Sequence, residues 1–441
     1  MSRFAKRFTG FSGTAALMED LGNALNNNPE LLFMGGGNPA KIDEAEQCFA
    51  KHLQHIAQDP QALHKLVGEY QPSQGDPAFL EVLADFLCAQ YQWPISAENI
   101  AISNGGQSAF FSLFNMLAGD DESGSDNHKK ILLPMVPDYL GYADAGLHAD
   151  MFKTYPPKIN LIDTTFFKYT IDFDALAIDD DIAAVCLSRP TNPSGNIVTD
   201  AEILELKKRC KACNIPLIID LAYGKPFPNV TFVDHDILWD ENTILVVSLS
   251  KLGLPGVRTG IVIADKDTIK RFSRATASLS LAPSNLGPAL CKSLIQSGDL
   301  LPLMEDTIKP FYEAQLQQTL TYLLEQIEAA GLNHPQVGQP ASTLPDLYSS
   351  KSRSAPIKIH KPEGAFFLWL WFQDLPITSQ ELYQRLKAKG LLVLSGHHFF
   401  QPLNDANWQH QHQCLRVNFC QPMDKIKQGI DVLIDEIKEL Y

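Results

Sequence analysis

Between residues 99 and 265 short apolar runs alternate with stretches of helical spacing, and that alternation leaves few architectures open. The runs in "NIAIS", "KKILLP", "IAAVCLS", "IPLIID", "TILVVS" and "GIVIAD" lack the polar alternation of a half-buried strand. Strands of that kind must be covered on both faces. Between them, "GGQSAFFSLFNML" and "DAEILELKKRCKA" carry helical spacing, the second behind Thr199 or Asp200 as N-cap. Strand and helix in turn predict an α/β domain around a mostly parallel sheet.

A chain of 441 residues is long for one core. We expect a large domain over residues 46–305 and a smaller α+β domain built from 1–45 plus 306–441. The stretch "EDTIKPFYEAQLQQTLTYLLEQIEAAG" predicts a connecting helix bent at Pro310. Beyond it, "QPASTLPDLYSSKSRSAPIK" (339–358) reads as an exposed loop. The strand "AFFLWLWF", the helix "TSQELYQRLKAKG", the strands "LLVLSG" and "CLRVNF" and a final helix, "PMDKIKQGIDVLIDEIKEL", complete the chain.

Charge narrows the function. Against 36 Lys+Arg stand 51 Asp+Glu, a net −15, which argues against a binder of nucleic acid or anionic membrane. No apolar run is long enough to span a bilayer, and none follows the basic start as in a secretory signal. Eight scattered cysteines suit reduced thiols, so a cytoplasmic location is expected. Two metal-like patterns have plainer readings. Cys210 and Cys213 share one helical stretch with no second Cys pair to complete four ligands. His410 and His412, like His397 and His398, read as polar loops, and no metal is expected.

The ends of the strands carry the chemistry. In an open α/β sheet ligands bind at the carboxyl ends of strands, where this chain offers Gly105, Gly106 and Gln107, Tyr139, Asn192, Asp220 with Tyr223, then Ser248, Ser250, Lys251 and Arg258. Glycines opening a helix present N–H groups to a phosphate, and serines with an arginine add hydroxyls and a bidentate fork. A buried aspartate suits a protonated pyridine nitrogen, an aromatic ring stacks on the pyridine, and a lysine forms an imine with an aldehyde. Singly, each has a plainer role: Lys251 at the surface, Asp220 as a helix cap, Asn192 in a turn, Tyr139 and Tyr223 in packing, Arg416 in an ion pair.

Together, "GGGNP", "YQPSQG", "SRPTNPSGN", "IIDLAYG", "SLSKLGLPGVRTG" and "CLRVNF" resemble, over essentially the whole chain, the fold-type I aminotransferases that depend on pyridoxal 5'-phosphate. The resemblance implies that Lys251 is the imine-forming lysine and general base. It pairs Asp220 with the pyridine nitrogen, Asn192 and Tyr223 with the 3-hydroxyl, and Tyr139 with the ring face. Gly106, Gln107, Ser248, Ser250 and Arg258 form the phosphate cup. Tyr70 reaches the phosphate held by a neighbouring subunit, which implies a homodimer with shared sites. Arg416 clamps the substrate α-carboxylate, helped by Asn192 and the backbone at Gly37.

The partners implied are amino acids and 2-oxo acids. No second arginine stands out for a distal carboxylate, which favours apolar substrates such as valine and alanine, with pyruvate as acceptor. Aromatic, other branched or 2-aminoadipate-like substrates are the alternatives. An aminotransferase-like regulator is disfavoured, because only some thirty residues precede "GGGNP" and the chain is acidic.

Overall fold

The computed structural model describes residues 19–23, 30–120, 128–148, 150–332, 356–403 and 408–441. Its larger sheet has eight strands. In order they are Ile100–Ser103, Gly260–Ile263, Thr243–Ser248, Leu217–Asp220, Ile182–Ser188, His128–Leu133 and Gly119–Asp120, with Phe152–Thr154 also paired to His128–Leu133. The strands from Thr243–Ser248 through His128–Leu133 to Phe152–Thr154 run parallel. Gly260–Ile263 is antiparallel to both of its neighbours. The apolar runs are buried on both faces, as their lack of alternation requires.

Register aligns the strand ends. Ser188 and Val246 both lie opposite Asp220, and Ser103 and Ser248 both lie opposite Gly260. A side chain at Gly260 could not fit, because its Cβ would come within 2.5 Å of Ser103 Oγ and 2.7 Å of the Gly105 backbone. The residues that leave these strands therefore converge on one edge.

A second sheet of six strands runs Leu394–Ser395, Cys414–Asn418, Phe367–Phe372, Ile357–His360, Phe166–Thr170 and Lys158–Leu161. The hairpin over residues 158–170 thus leaves the stretch that builds the large sheet and joins the C-terminal one. Ile357 and Lys358 lie in a strand rather than the expected loop, where Lys358 is held by the Thr164 carbonyl. Most of the predicted 339–358 loop lies outside the described residues.

Local rules hold at the helices. Thr199 and Thr378 each close a capping box with the glutamate three residues on, Glu202 and Glu381. The C-terminal helix Met423–Leu440 buries Ile426, Ile430, Leu433, Ile434 and Ile437. Each such side chain stabilises the fold by about 1.5–3 kcal/mol. Pro310 lies in the first turn of the helix Lys309–Ala329, which follows a π-helical turn at Leu303–Ile308. Proline's missing N–H breaks the regular ladder there.

Candidate active site

Lys251 sits in a short 3-10 turn after the strand Thr243–Ser248. Its Nζ donates to the Gly37 carbonyl at 2.5 Å and lies 5.4 Å from the Tyr223 ring centre and 5.8 Å from that of Phe366. Desolvation, then the positive Arg416, lower its pKa to about 8. A lysine held there is partly neutral near physiological pH, which a nucleophile or base requires.

Asp220 is buried at the end of its strand. Its Oδ2 accepts from the Tyr142 hydroxyl at 2.8 Å and its Oδ1 from the Ala222 N–H at 2.9 Å. Burial pushes its pKa up to about 6, opposed by those donors and by Lys251. The carboxylate caps no helix and has no ion-pair partner among the described residues.

Arg416 is 3% exposed, in the strand Cys414–Asn418. It donates to Asn192 Oδ1 at 2.7 Å and to the carbonyls of Gly35 and Gly36 at 2.8 and 3.3 Å. Its guanidinium lies over Phe367, 4.1 Å from the ring centre, and its Nε is buried without a partner. Among the described residues no carboxylate pairs with it, so the structural ion pair is not what holds it. Burial lowers its pKa to about 10. A buried cation with donors to spare is a site for an anion.

Further along the same edge, the helix Gly106–Leu117 starts from Gly105, at φ +93°, with no side chain capping its first N–H groups. Ser248 Oγ lies 3.1 Å from Ser250 Oγ and accepts from the Ser250 N–H at 3.2 Å. Arg258 reaches over Gly105: a Cβ there would be 2.5 Å from its Nη2. A Cβ on Gly141 would likewise press on the Tyr139 ring at 2.5 Å, and Gln107 donates to the Gly141 carbonyl at 2.9 Å. These glycines keep open a cradle of N–H, hydroxyl and guanidinium donors suited to a phosphate.

Tyr223 is buried, edge-on to Phe366 and Phe367, and burial raises its pKa. Burial likewise raises that of Tyr139 to about 12. The structure therefore brings Gly37, Asn192, Asp220, Tyr223, Lys251 and Arg416 into one linked group. Gly106, Gln107, Tyr139, Ser248, Ser250 and Arg258 form the adjoining cradle. Tyr70 stands apart, 86% exposed, with no hydrogen bond to another described residue.

Sequence reasoning passed over Tyr142, three residues beyond Tyr139 in "PDYLGY", and the aromatic wall of Phe366, Phe367 and Phe399. Nothing in local spacing marks them, since only the packed chain brings them here. His410 departs from the expected polar loop. It is buried in a 3-10 turn, bonded to the Tyr169 hydroxyl and 4.6 Å from the Trp371 ring centre. His397 and His398 are likewise half-buried in a turn, with His397 bonded to Ser395 at 2.7 Å. Cys48, His52 and Asp299 also lie together, His52 buried and the other two half-buried, with Asp299 Oδ2 3.0 Å from both Lys51 Nζ and His52 Nε2.

The model of the family "Aminotransferase class I and II" matches residues 32–433. Valine–pyruvate aminotransferase of Escherichia coli K12 is 43% identical over 440 residues, covering 100% of this chain and 98% of that one. The crystal structure of valine–pyruvate aminotransferase from Salmonella typhimurium aligns with a TM-score of 0.83 at 42% identity, over 96% of this chain and 99% of the other. An aspartate aminotransferase from Thermus thermophilus shares the fold, with a TM-score of 0.75 at 16% identity over 99% and 100% of the two chains. With the residues of the strand ends gathered as described, the chain belongs to the class I and II aminotransferases.

Proposed function

We propose that this aminotransferase moves an amino group reversibly between valine and pyruvate, giving 2-oxoisovalerate and alanine. The observation that carries substrate binding is Arg416, a buried cation with no carboxylate partner among the described residues, beside a lysine of lowered pKa. The named relatives supply the side-chain preference, since they match over nearly their whole length at more than 40% identity. Besides desolvation, Arg416 and Arg258 both lower the pKa of Lys251.

Members of the family use pyridoxal phosphate and act on amino acids and 2-oxo acids. The residues present fit that cofactor. The glycine-opened cradle would hold the phosphate, Asp220 the ring nitrogen, Tyr139 the ring face, and Tyr223 with Asn192 the 3-oxygen. Bound there, the cofactor supplies an aldehyde carbon and an electron-poor ring that takes up charge from the Cα–H bond.

The chain's own groups do the rest. Arg416 and the Gly37 backbone orient the α-carboxylate. Asn192 Oδ1 is occupied by Arg416, so its amide N–H₂ is free to donate. Lys251 Nζ is placed to take the proton from Cα and would give it up to the former aldehyde carbon, which keeps the amino group. Positioned proton transfer of this kind contributes roughly 10²–10⁴-fold. Asp220, its carboxylate supported by Tyr142, keeps the nitrogen it faces protonated.

On this reading residues 46–305, apart from the 158–170 hairpin, form the cofactor-binding unit. Residues 306–441 with the N-terminal segment cover it. The enzyme is a homodimer in which Tyr70 serves the neighbouring site. Support comes from the exposure of Val67 (76%) and Tyr70 (86%), apolar surface that water disfavours. A panel of amino donors against pyruvate, followed through the cofactor's absorbance, tests the function. Valine should lead, with leucine and isoleucine slower, since a methylene changes specificity by about 1–3 kcal/mol. A clear preference for aspartate or an aromatic donor, with valine negligible, would overturn it.

A further inference from the structure

Asp138 lies directly before Tyr139, is 3% exposed, and has no part in the chemistry described so far. Its Oδ1 accepts from the Tyr139 N–H at 2.6 Å and from the Ser188 hydroxyl, and its Oδ2 accepts from the Ser188 N–H at 3.1 Å. Ser188 Oγ in turn accepts from the Asn192 N–H at 3.3 Å. On its other side, the Asp138 N–H donates to the carbonyl of Phe399 at 3.0 Å, and the Phe399 ring centre lies 5.2 Å from the Arg416 guanidinium. One carboxylate thus ties the residues after the strand His128–Leu133 to the end of the strand Ile182–Ser188.

We propose that Asp138 is a positioning residue for amino transfer: its carboxylate sets the peptide of Tyr139 and, through Ser188, that of Asn192. The proposal rests on the roles assigned above to those two residues. It explains why the group is a carboxylate. Three donors converge on two oxygens, and an amide of the same size would turn its N–H₂ against one of them. It also explains why a costly group is kept. Burial, with the nearby charge of Asp220, raises the pKa of Asp138 to about 7. The titratable neighbours that feel its charge are Tyr142 and Cys186, with Asp220 acting on it in turn.

Asp138→Asn and Ser188→Ala, singly and together, test this in the cofactor-loaded enzyme. A misplaced group costs up to about 10²-fold in rate, and we expect Asp138→Asn to lower the kcat of both half-reactions at least tenfold. The visible circular dichroism of the bound cofactor, which reports ring orientation, should change as well. The double variant should cost no more than Asp138→Asn alone, because both substitutions cut one chain of bonds. Should Asp138→Asn fail to fold, Ser188→Ala keeps the carboxylate and removes one link, and a fall in kcat with altered dichroism is still expected. Unchanged kcat and dichroism in a variant that merely melts earlier would overturn the proposal, as would additive losses in the double variant. A wild-type protein that bound no cofactor would instead defeat the underlying functional reading.

Discussion

Replacing Arg416 by lysine isolates the fork from the charge. In the structure the guanidinium is buried, fixed by Asn192 and two glycine carbonyls, and stacked on Phe367. An ammonium at the same place keeps the positive charge but cannot serve these acceptors and a carboxylate in one plane. The loss is one charge-assisted hydrogen bond, about 1.5–3 kcal/mol. At about 1.4 kcal/mol per decade that is roughly 10- to 150-fold in kcat/KM. Valine and pyruvate carry the same α-carboxylate, so both half-reactions should fall by the same factor in single-turnover absorbance measurements. Isobutylamine, which has valine's side chain without the carboxylate, should react equally with both enzymes. A loss confined to one half-reaction, or an equal loss with isobutylamine, would refute the assignment.

Lys251→Ala should still bind the cofactor but lose the absorbance band of the lysine-bound form, with turnover down at least about 10²-fold; retained turnover would contradict the site. Asp220→Ala should keep that band and lose most of the rate, and a variant with wild-type kcat would remove Asp220 from the mechanism. Lys251 has its pKa lowered from 10.5 to about 8, so its neutral amine forms at lower pH than in an exposed lysine. The rate at which the cofactor-free protein captures pyridoxal phosphate should therefore rise through an inflection near 8, and one near 10.5 would show the amine to be solvated. The unfolded chain holds that proton up to its higher pKa, so Lys251 adds stability to the cofactor-free protein as pH rises between about 8 and 10.5. Tyr70→Phe should weaken cofactor binding about tenfold or more, the worth of one hydrogen bond to a charged group, while sedimentation still shows a dimer; unaltered binding would detach Tyr70 from the site.

Covalent order alone carried much of this protein. Doubly apolar runs announced covered strands, and Thr199 or Asp200 ahead of a helical stretch announced a helix start. Glycines and serines after strands announced an anion cradle, because each of these signals is local in the chain. Arg416 was nominated by the resemblance, yet whether it was an ion pair or a carboxylate clamp depended on what the fold packs against it. The packed chain sets Asn192 and the Gly35 and Gly36 carbonyls against it, and among the described residues no carboxylate pairs with it. The 158–170 hairpin looked like part of the large domain because sequence neighbours usually pack together, but its pairing with Ile357–His360 takes it to the other sheet. Tyr142 and Asp138 were illegible for the same reason. A tyrosine and an aspartate in a turn acquire meaning only when Asp220 and Ser188, 78 and 50 residues away, are brought within hydrogen-bonding distance. Local spacing records which elements form, whereas the acidity of a buried carboxyl or amine depends on desolvation and on charges that only the packed chain brings near.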